Sequence, residues 1–160
     1  MEKQILIAYY SWSGNTRKIA ELIHKKIDGN LFEIIPEKEY PSSYWVVVEQ
    51  AKKEIQAGFK PKLKYKIDLE KYEIVFLGTP NWWSTIAPPV ATFLTEYDFS
   101  GKIIAPFCTH GGGGQGRIKN YIQKLCPNAN ILSLLSIHER EVEKAEERVS
   151  EWLRNIGILK

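Results

Sequence analysis

The chain has few of the residues that mark metal or disulfide chemistry. Its 160 residues include two cysteines, Cys108 and Cys126, and three histidines. The cysteines stand too far apart for a C-x-x-C redox pair or a metal comb, and the histidines are widely spaced. No metal site is therefore expected, and both thiols read as buried and reduced. No apolar run approaches the ~20 residues needed to cross a bilayer, so no membrane span is expected. The first residues, Met1-Glu2-Lys3-Gln4, run at once toward a strand and lack the basic start and small-residue cleavage site of an export signal, which points to a cytoplasmic location. Internal repeats, low-complexity tracts and interdomain linkers are missing, so residues 1–160 read as one domain. Charge of one sign is nearly balanced: the net +3 leaves no basic excess for nucleic acid.

What the chain does carry is alternation on a soluble, globular composition, 44% hydrophobic and 26% charged. Residues 4–10 form an unbroken apolar run, as in a strand buried on both faces. Ile19, Leu22, Ile23 and Ile27 predict a helix over 15–28 that stops at Asp28-Gly29-Asn30. Residues 31–35 read as a second strand, at an edge. Residues 36–71 are less patterned: Pro36 and Pro41 break the chain, Ser42 or Ser43 caps a predicted helix over 43–57, and Trp45, Val48, Ala51 and Ile55 form its expected apolar face. Lys60-Pro61-Lys62-Leu63-Lys64-Tyr65-Lys66 reads as a solvated connection or a lysine-protected edge, with a docking patch for an acidic partner as the alternative. Beyond it the pattern predicts a strand over 74–78, a helix from Pro88-Pro89 and a strand over 102–108. A helix over 115–125, a strand over 130–137 and a last helix over 140–155 follow. Pro106 removes a ladder donor from the fourth strand, so an irregularity is expected beside it.

Strands alternating with helices imply a parallel sheet covered by helices on both faces, and right-handed crossovers leave few topologies. Ligands of such sheets bind beyond the strands' carboxyl ends. Three unusual stretches each follow such an end. The first is Ser11-Trp12-Ser13-Gly14-Asn15-Thr16, between the first strand and the first helix. A helix N-terminus presents unpaired N–H groups and the positive end of the dipole, a seat for phosphate. Gly14 permits close backbone approach, and Ser11, Ser13 and Thr16 can donate O–H. A plain helix cap would need only one such residue. This turn has no lysine and lacks the G-x-x-x-x-G-K-[ST] pattern, which argues against ATP or GTP, and the G-x-G-x-x-G dinucleotide pattern is also missing.

The second stretch is Thr79-Pro80-Asn81-Trp82-Trp83-Ser84. Two adjacent tryptophans in a loop cannot both enter one core, so one indole is expected at the surface or against a planar ligand. The third is Thr109-His110-Gly111-Gly112-Gly113-Gly114-Gln115-Gly116. Four consecutive glycines are costly to order, which suggests a need for close backbone approach. His110 reads as a hydrogen-bonding residue, with a proton donor's role as the alternative.

The first stretch matches [ST]-x-[ST]-G-x-[ST] at each position and resembles the FMN-phosphate loop of the flavodoxin family. The run Gly78-Thr79-Pro80-Asn81-Trp82-Trp83, then Pro88-Pro89, Phe93-Leu94, Tyr97-Asp98 and Ser100-Gly101-Lys102, then Pro106-Phe107-Cys108-Thr109-His110-Gly111-Gly112, looks like a flavodoxin-like subfamily of bacterial proteins. This likeness covers nearly the whole chain. It implies a three-layer α/β sandwich with a five-stranded parallel sheet in the order 2-1-3-4-5, for which flavodoxin is itself the standard example, FMN sitting at the switch point between the first and third strands. By resemblance, Ser11, Trp12, Ser13, Gly14, Asn15 and Thr16 hold the FMN phosphate. Trp82 or Trp83 covers a ring face, Thr79, Pro80 and Asn81 bond near the ring's reactive nitrogen, and Thr109, His110, Gly111 and Gly112 hold its edge or the ribityl chain. The implied function is electron transfer between redox partners by a monomer or homodimer. The alternative is an FMN-dependent NAD(P)H oxidoreductase acting on quinones or similar small acceptors. One departure stands out: electron-shuttling flavodoxins are strongly acidic and this chain is not, so a less negative potential is expected.

Overall fold

Apolar runs that are buried on both faces build the middle of the sheet. The computed structural model describes residues 4–159; residues 1–3, on which the reading of the amino terminus rests, and residue 160 lie outside them. β1 (Ile5–Tyr9), β3 (Ile74–Pro80) and β4 (Ile103–His110) keep nearly every side chain out of water. With β2 (Asn30–Glu33) at one edge and β5 (Asn130–Ile131) at the other, the order is β2-β1-β3-β4-β5, every pair parallel. Successive side chains leave the sheet on opposite sides. Leu6 and Ala8 therefore join Val90, Phe93, Ile118 and Ile122 in one core. Ile7 and Phe76 join Ile19, Ile23, Val149 and Trp152 in the other. The first core packs α3 (Pro88–Glu96) and α4 (Ile118–Leu125), the second α1 (Asn15–Lys26) and α5 (Glu146–Asn155). α2 (Tyr44–Gln56) lies beside α3.

The fifth position holds two short strands where one was expected. Both β5 and β6 (Leu135–His138) pair with β4, at residues 103–104 and 107–110 of β4 respectively. The gap between them faces Pro106. The carbonyl of Ile104 accepts from Leu132 N–H at 2.9 Å, so Ile104 and, two residues on, Pro106 both turn toward this side. Proline has no N–H to give there. On the other side, pairing with β3 runs unbroken through Leu77 and Pro106. The irregularity thus falls in the neighbouring strand.

Three boundaries also differ from the sequence pattern. α2 buries Val47 and Ala51, while Trp45, assigned to the apolar face, is 75% exposed. On the same helix Glu54 accepts from Tyr40 Oη, in the segment before α2, and from Gln50 Nε2 one turn back. α4 starts at Ile118 instead of 115, because the glycine-rich segment before it is taken up in turns. The last helical stretch divides into a 3-10 helix, Glu139–Lys144, and α5, since His138 still belongs to β6 and caps the 3-10 turn through Arg140 N–H. In the lysine-rich segment, residues 62–64 pair antiparallel with 35–37 beyond the end of β2, Leu63 opposite Pro36 and the lysines exposed.

Candidate functional site

The loops following β1, β3 and β4 meet at one rim of the sheet, because these three strands are neighbours and point the same way. Hydrogen bonds join them. Thr16 and Thr109 share a buried hydroxyl pair at 2.9 Å. Asn81 donates its backbone N–H to Thr109 O and its side-chain amide to Gly114 O, both at 2.8 Å. Ser84 O accepts from Arg117 N–H at 2.7 Å. A Cβ on Gly116, whose φ is +51°, would stand 2.9 Å from Ser84 O, so only glycine lets these two loops close on each other. Four candidate residues lie on strand ends: Thr79 and Pro80 on β3, Thr109 and His110 on β4. Pairing Pro80 with Thr109 and His110 with His138 carries the strands further than the apolar runs suggested.

The turn after β1 leaves backbone donors at the start of α1. Gly14 takes a left-handed φ of 99° at the N-cap of α1 and offers no side chain to cap the helix. In its place Ser11 Oγ reaches forward, accepting from Gly14 N–H at 3.1 Å and Arg17 N–H at 3.2 Å. No acidic residue stands in the first helical turn. Ser13 is exposed, and Asn15 opens the helix. Backbone donors, hydroxyls and the dipole's positive end make a donor set suited to a phosphate; the nearby Arg17 guanidinium is already paired with the Glu33 carboxylate at 2.5 Å. Thr16 is the exception, since its hydroxyl turns inward to Thr109. A cleft of about 630 Å³ opens beside this turn, lined by Tyr10, Ser11, Trp12, Ser13, Arg17 and Tyr40 among others.

The tryptophans pack toward Tyr10, Tyr40 and α2. Trp82 packs edge-on against Tyr10 and Tyr40, with ring centroids 5.6 and 5.1 Å away. Burial, reinforced by the Glu54 carboxylate, holds the Tyr10 phenol well above its usual range. Trp83 is 45% exposed and donates Nε1–H to Val48 O at 3.0 Å, with Lys52 Nζ 5.3 Å from its ring. Trp12 likewise reaches the segment before α2, donating Nε1–H to Pro41 O at 2.9 Å. Thr79 is buried, its hydroxyl held between Ala87 N–H and the Pro80 carbonyl, so it shapes the return of the chain.

His110 accepts at Nδ1 from Gly112 N–H at 3.0 Å, and its ring lies 5.2 Å from that of His138. Burial is the main cause that holds His110 below its ordinary value, with His138 and Arg148 adding to it and Glu139 and Glu141 opposing. Gly111 and Gly112 are exposed, Gly112 with a φ of +144°. Sequence reasoning missed Arg17, Tyr40 and His138. Arg17 carried a local signal, a cation one residue past the hydroxyl-rich turn. Tyr40 and His138 carried none, because only the packing of distant segments brings them to the rim.

A doubly wound parallel sheet in the order 2-1-3-4-5, with loops meeting at the switch point between its first and third strands, defines the flavodoxin-like class of α/β proteins. A family model described as Flavodoxin matches residues 4–156, and the chain belongs to that family. It is similar to a crystal structure from Bacteroides eggerthii, provisionally named a flavoprotein: 27% identity, covering 97% of this chain and 98% of that one, with a TM-score of 0.85. A flavoprotein of Lactobacillus acidophilus, solved in complex with FMN, is 28% identical over 89% of this chain and 98% of its own, with a TM-score of 0.74. Flavodoxin 1 of Escherichia coli is 24% identical over 94% of this chain and 91% of its own.

Proposed function

We propose that this chain binds FMN non-covalently and carries electrons between redox partners. The observation that carries this reading is the tying of three loops into one rim by Thr16, Asn81, Ser84 and their partners. The relative from Lactobacillus acidophilus, which is in complex with FMN, supports it. When bound, FMN supplies the reversible gain and loss of electrons; the protein supplies binding, orientation and tuning. The first turn of α1 would take the phosphate, with Ser11 Oγ yielding its two backbone donors and Ser13 and Arg17 closing around it. Trp82 or Trp83 would cover one ring face, and Thr109 to Gly112 would hold the polar edge.

Titration with FMN should quench flavin fluorescence at one equivalent. Ser13→Glu puts a carboxylate into the anion seat at an exposed position. It should weaken binding by about 100-fold, a loss near 2.7 kcal/mol, and leave thermal unfolding almost unchanged. No binding at saturating FMN overturns the proposal. Reduction of the loaded protein only through an added reductase supports the carrier. Steady NADH or NADPH oxidation with a quinone, by the loaded protein alone, would replace the carrier with an oxidoreductase.

A further inference from the structure

We propose that His110, packed against His138, is a positioning residue that locks the turn leaving β4 while neutral and releases it on taking up a proton. The lock is a property of the chain itself; only its consequence for cofactor affinity rests on the FMN reading above.

The two imidazoles sit opposite each other in register on neighbouring parallel strands, rings 5.2 Å apart and nearly perpendicular. Each repeats one device. His110 Nδ1 accepts from the N–H two residues on, Gly112, and His138 Nδ1 accepts from the N–H two residues on, Arg140, each at 3.0 Å. A ring nitrogen that accepts carries no proton, so each neutral ring bears its proton on Nε2. A further proton must go to Nδ1, where a backbone N–H already points. Two donors then face each other and the bond opens. Protonation and release are therefore one event.

The bonds hold segments that meet. Gly112 lies in the turn that runs on to Gly114, gripped by the Asn81 side chain, and to Gly116, against Ser84. Arg140 opens the 3-10 helix, whose Glu139 carboxylate faces Gly111, its Oε1 3.5 Å from where a Cβ would stand. The charged groups facing His110 are His138 on β6, Arg148 on α5, and Glu139 and Glu141 on the 3-10 helix. Arg148 is fixed there by its bond to Ser136 O at 2.8 Å. Burial, His138 and Arg148 all hold His110 toward its neutral form, so the lock on Gly112 is the resting arrangement.

The test is an NMR titration of the full chain, with and without FMN, following the imidazole nitrogens and the Gly112 amide between about pH 5 and 8. In the wild type the Gly112 amide should move with the same midpoint as His110. His110→Asn keeps an acceptor near the Nδ1 position but takes no proton, so the Gly112 response should disappear. His138→Asn keeps the bond to Arg140 and removes the second ring, so the His110 midpoint should move up. A Gly112 amide indifferent to pH in the wild type, or a His110 midpoint unmoved by His138→Asn, overturns the proposal. With FMN as probe, wild-type affinity relative to His110→Asn should fall about fivefold as pH drops through the midpoint, the loss of one hydrogen bond. A ratio independent of pH overturns the link to the cofactor. Failure of FMN to bind at any pH would overturn the proposed function, while the amide titration would still decide the lock.

Discussion

The hydroxyls of Thr16 and Thr109 stand 2.9 Å apart in a buried contact that pins the first turn of α1 to the carboxyl end of β4. Ninety-three residues separate them in sequence. Each is a small polar group out of water, satisfied by the other. Replacing one leaves its partner unpaired, which costs about 1–3 kcal/mol, whereas replacing both removes the unpaired group. Thr16→Val and Thr109→Val should each lower stability in urea titrations by that amount. The double variant should fall short of their sum by about 0.5–1.5 kcal/mol. Strict additivity would mean that the pair carries no energy.

The loop after β3 stores backbone strain. Trp83 and Ser84 both lie in the left-handed region, at φ of 55° and 68°, although neither is glycine. Trp82 and Thr85 clamp them with reciprocal backbone bonds of 3.0 and 3.1 Å. This is a two-residue turn of the kind that favours Asn-Gly. A non-glycine residue there costs about 1–2 kcal/mol, part of which is offset by glycine's greater freedom in the unfolded chain. Ser84→Gly should therefore raise stability by about 0.5–1 kcal/mol, some 2–4 °C per kcal/mol in Tm. Ser84→Ala should change little, which separates the backbone effect from loss of the hydroxyl.

Gly78 lets two rows of the core approach. A Cβ there would stand 2.4 Å from the Phe107 ring and 3.0 Å from Tyr9 Cβ, in the interior of the paired strands. Gly78→Ala should cost about 1–3 kcal/mol by overpacking. Adding Phe107→Leu to that variant should recover part of the loss, read from the denaturation midpoint. A Gly78→Ala protein as stable as the wild type would contradict the close contact.

Both cysteines are buried, and burial pushes each thiol up to about 11. Thiolate is the reactive form. Near neutral pH a disulfide reagent should therefore label Cys108 and Cys126 only as fast as the chain opens, and mild urea should accelerate labelling of both. The sign of the pH effect follows from linkage. A thiol held above its ordinary value of 9.0 stabilises the fold fully below that pH, and this contribution fades as pH rises toward about 11. Cys126→Ala should flatten part of that alkaline decline.

The alternation of strands and helices was legible because its signals are local: unbroken apolar runs mark strands buried on both faces, and the hydroxyl-rich residues around Trp12 mark a strand-to-helix turn. The face of α2 was less legible. Trp45 has the spacing of a core residue, yet α2 packs through Val47 and Ala51 and leaves that tryptophan in solvent. Pro106 showed its disturbance, but one strand away, since the N–H it lacks would have bonded to the neighbouring strand.

By itself the sequence determined the alternation of strands and helices and which three stretches follow strand ends. Each depends on residues a few positions apart. Only the tertiary structure decided where the side chains of those stretches turn: Thr16 inward to Thr109, both tryptophans toward β1 and α2, and His110 against His138. These choices are set by partners far off along the chain, and a hydrogen bond or ring contact between distant segments leaves no period or spacing behind.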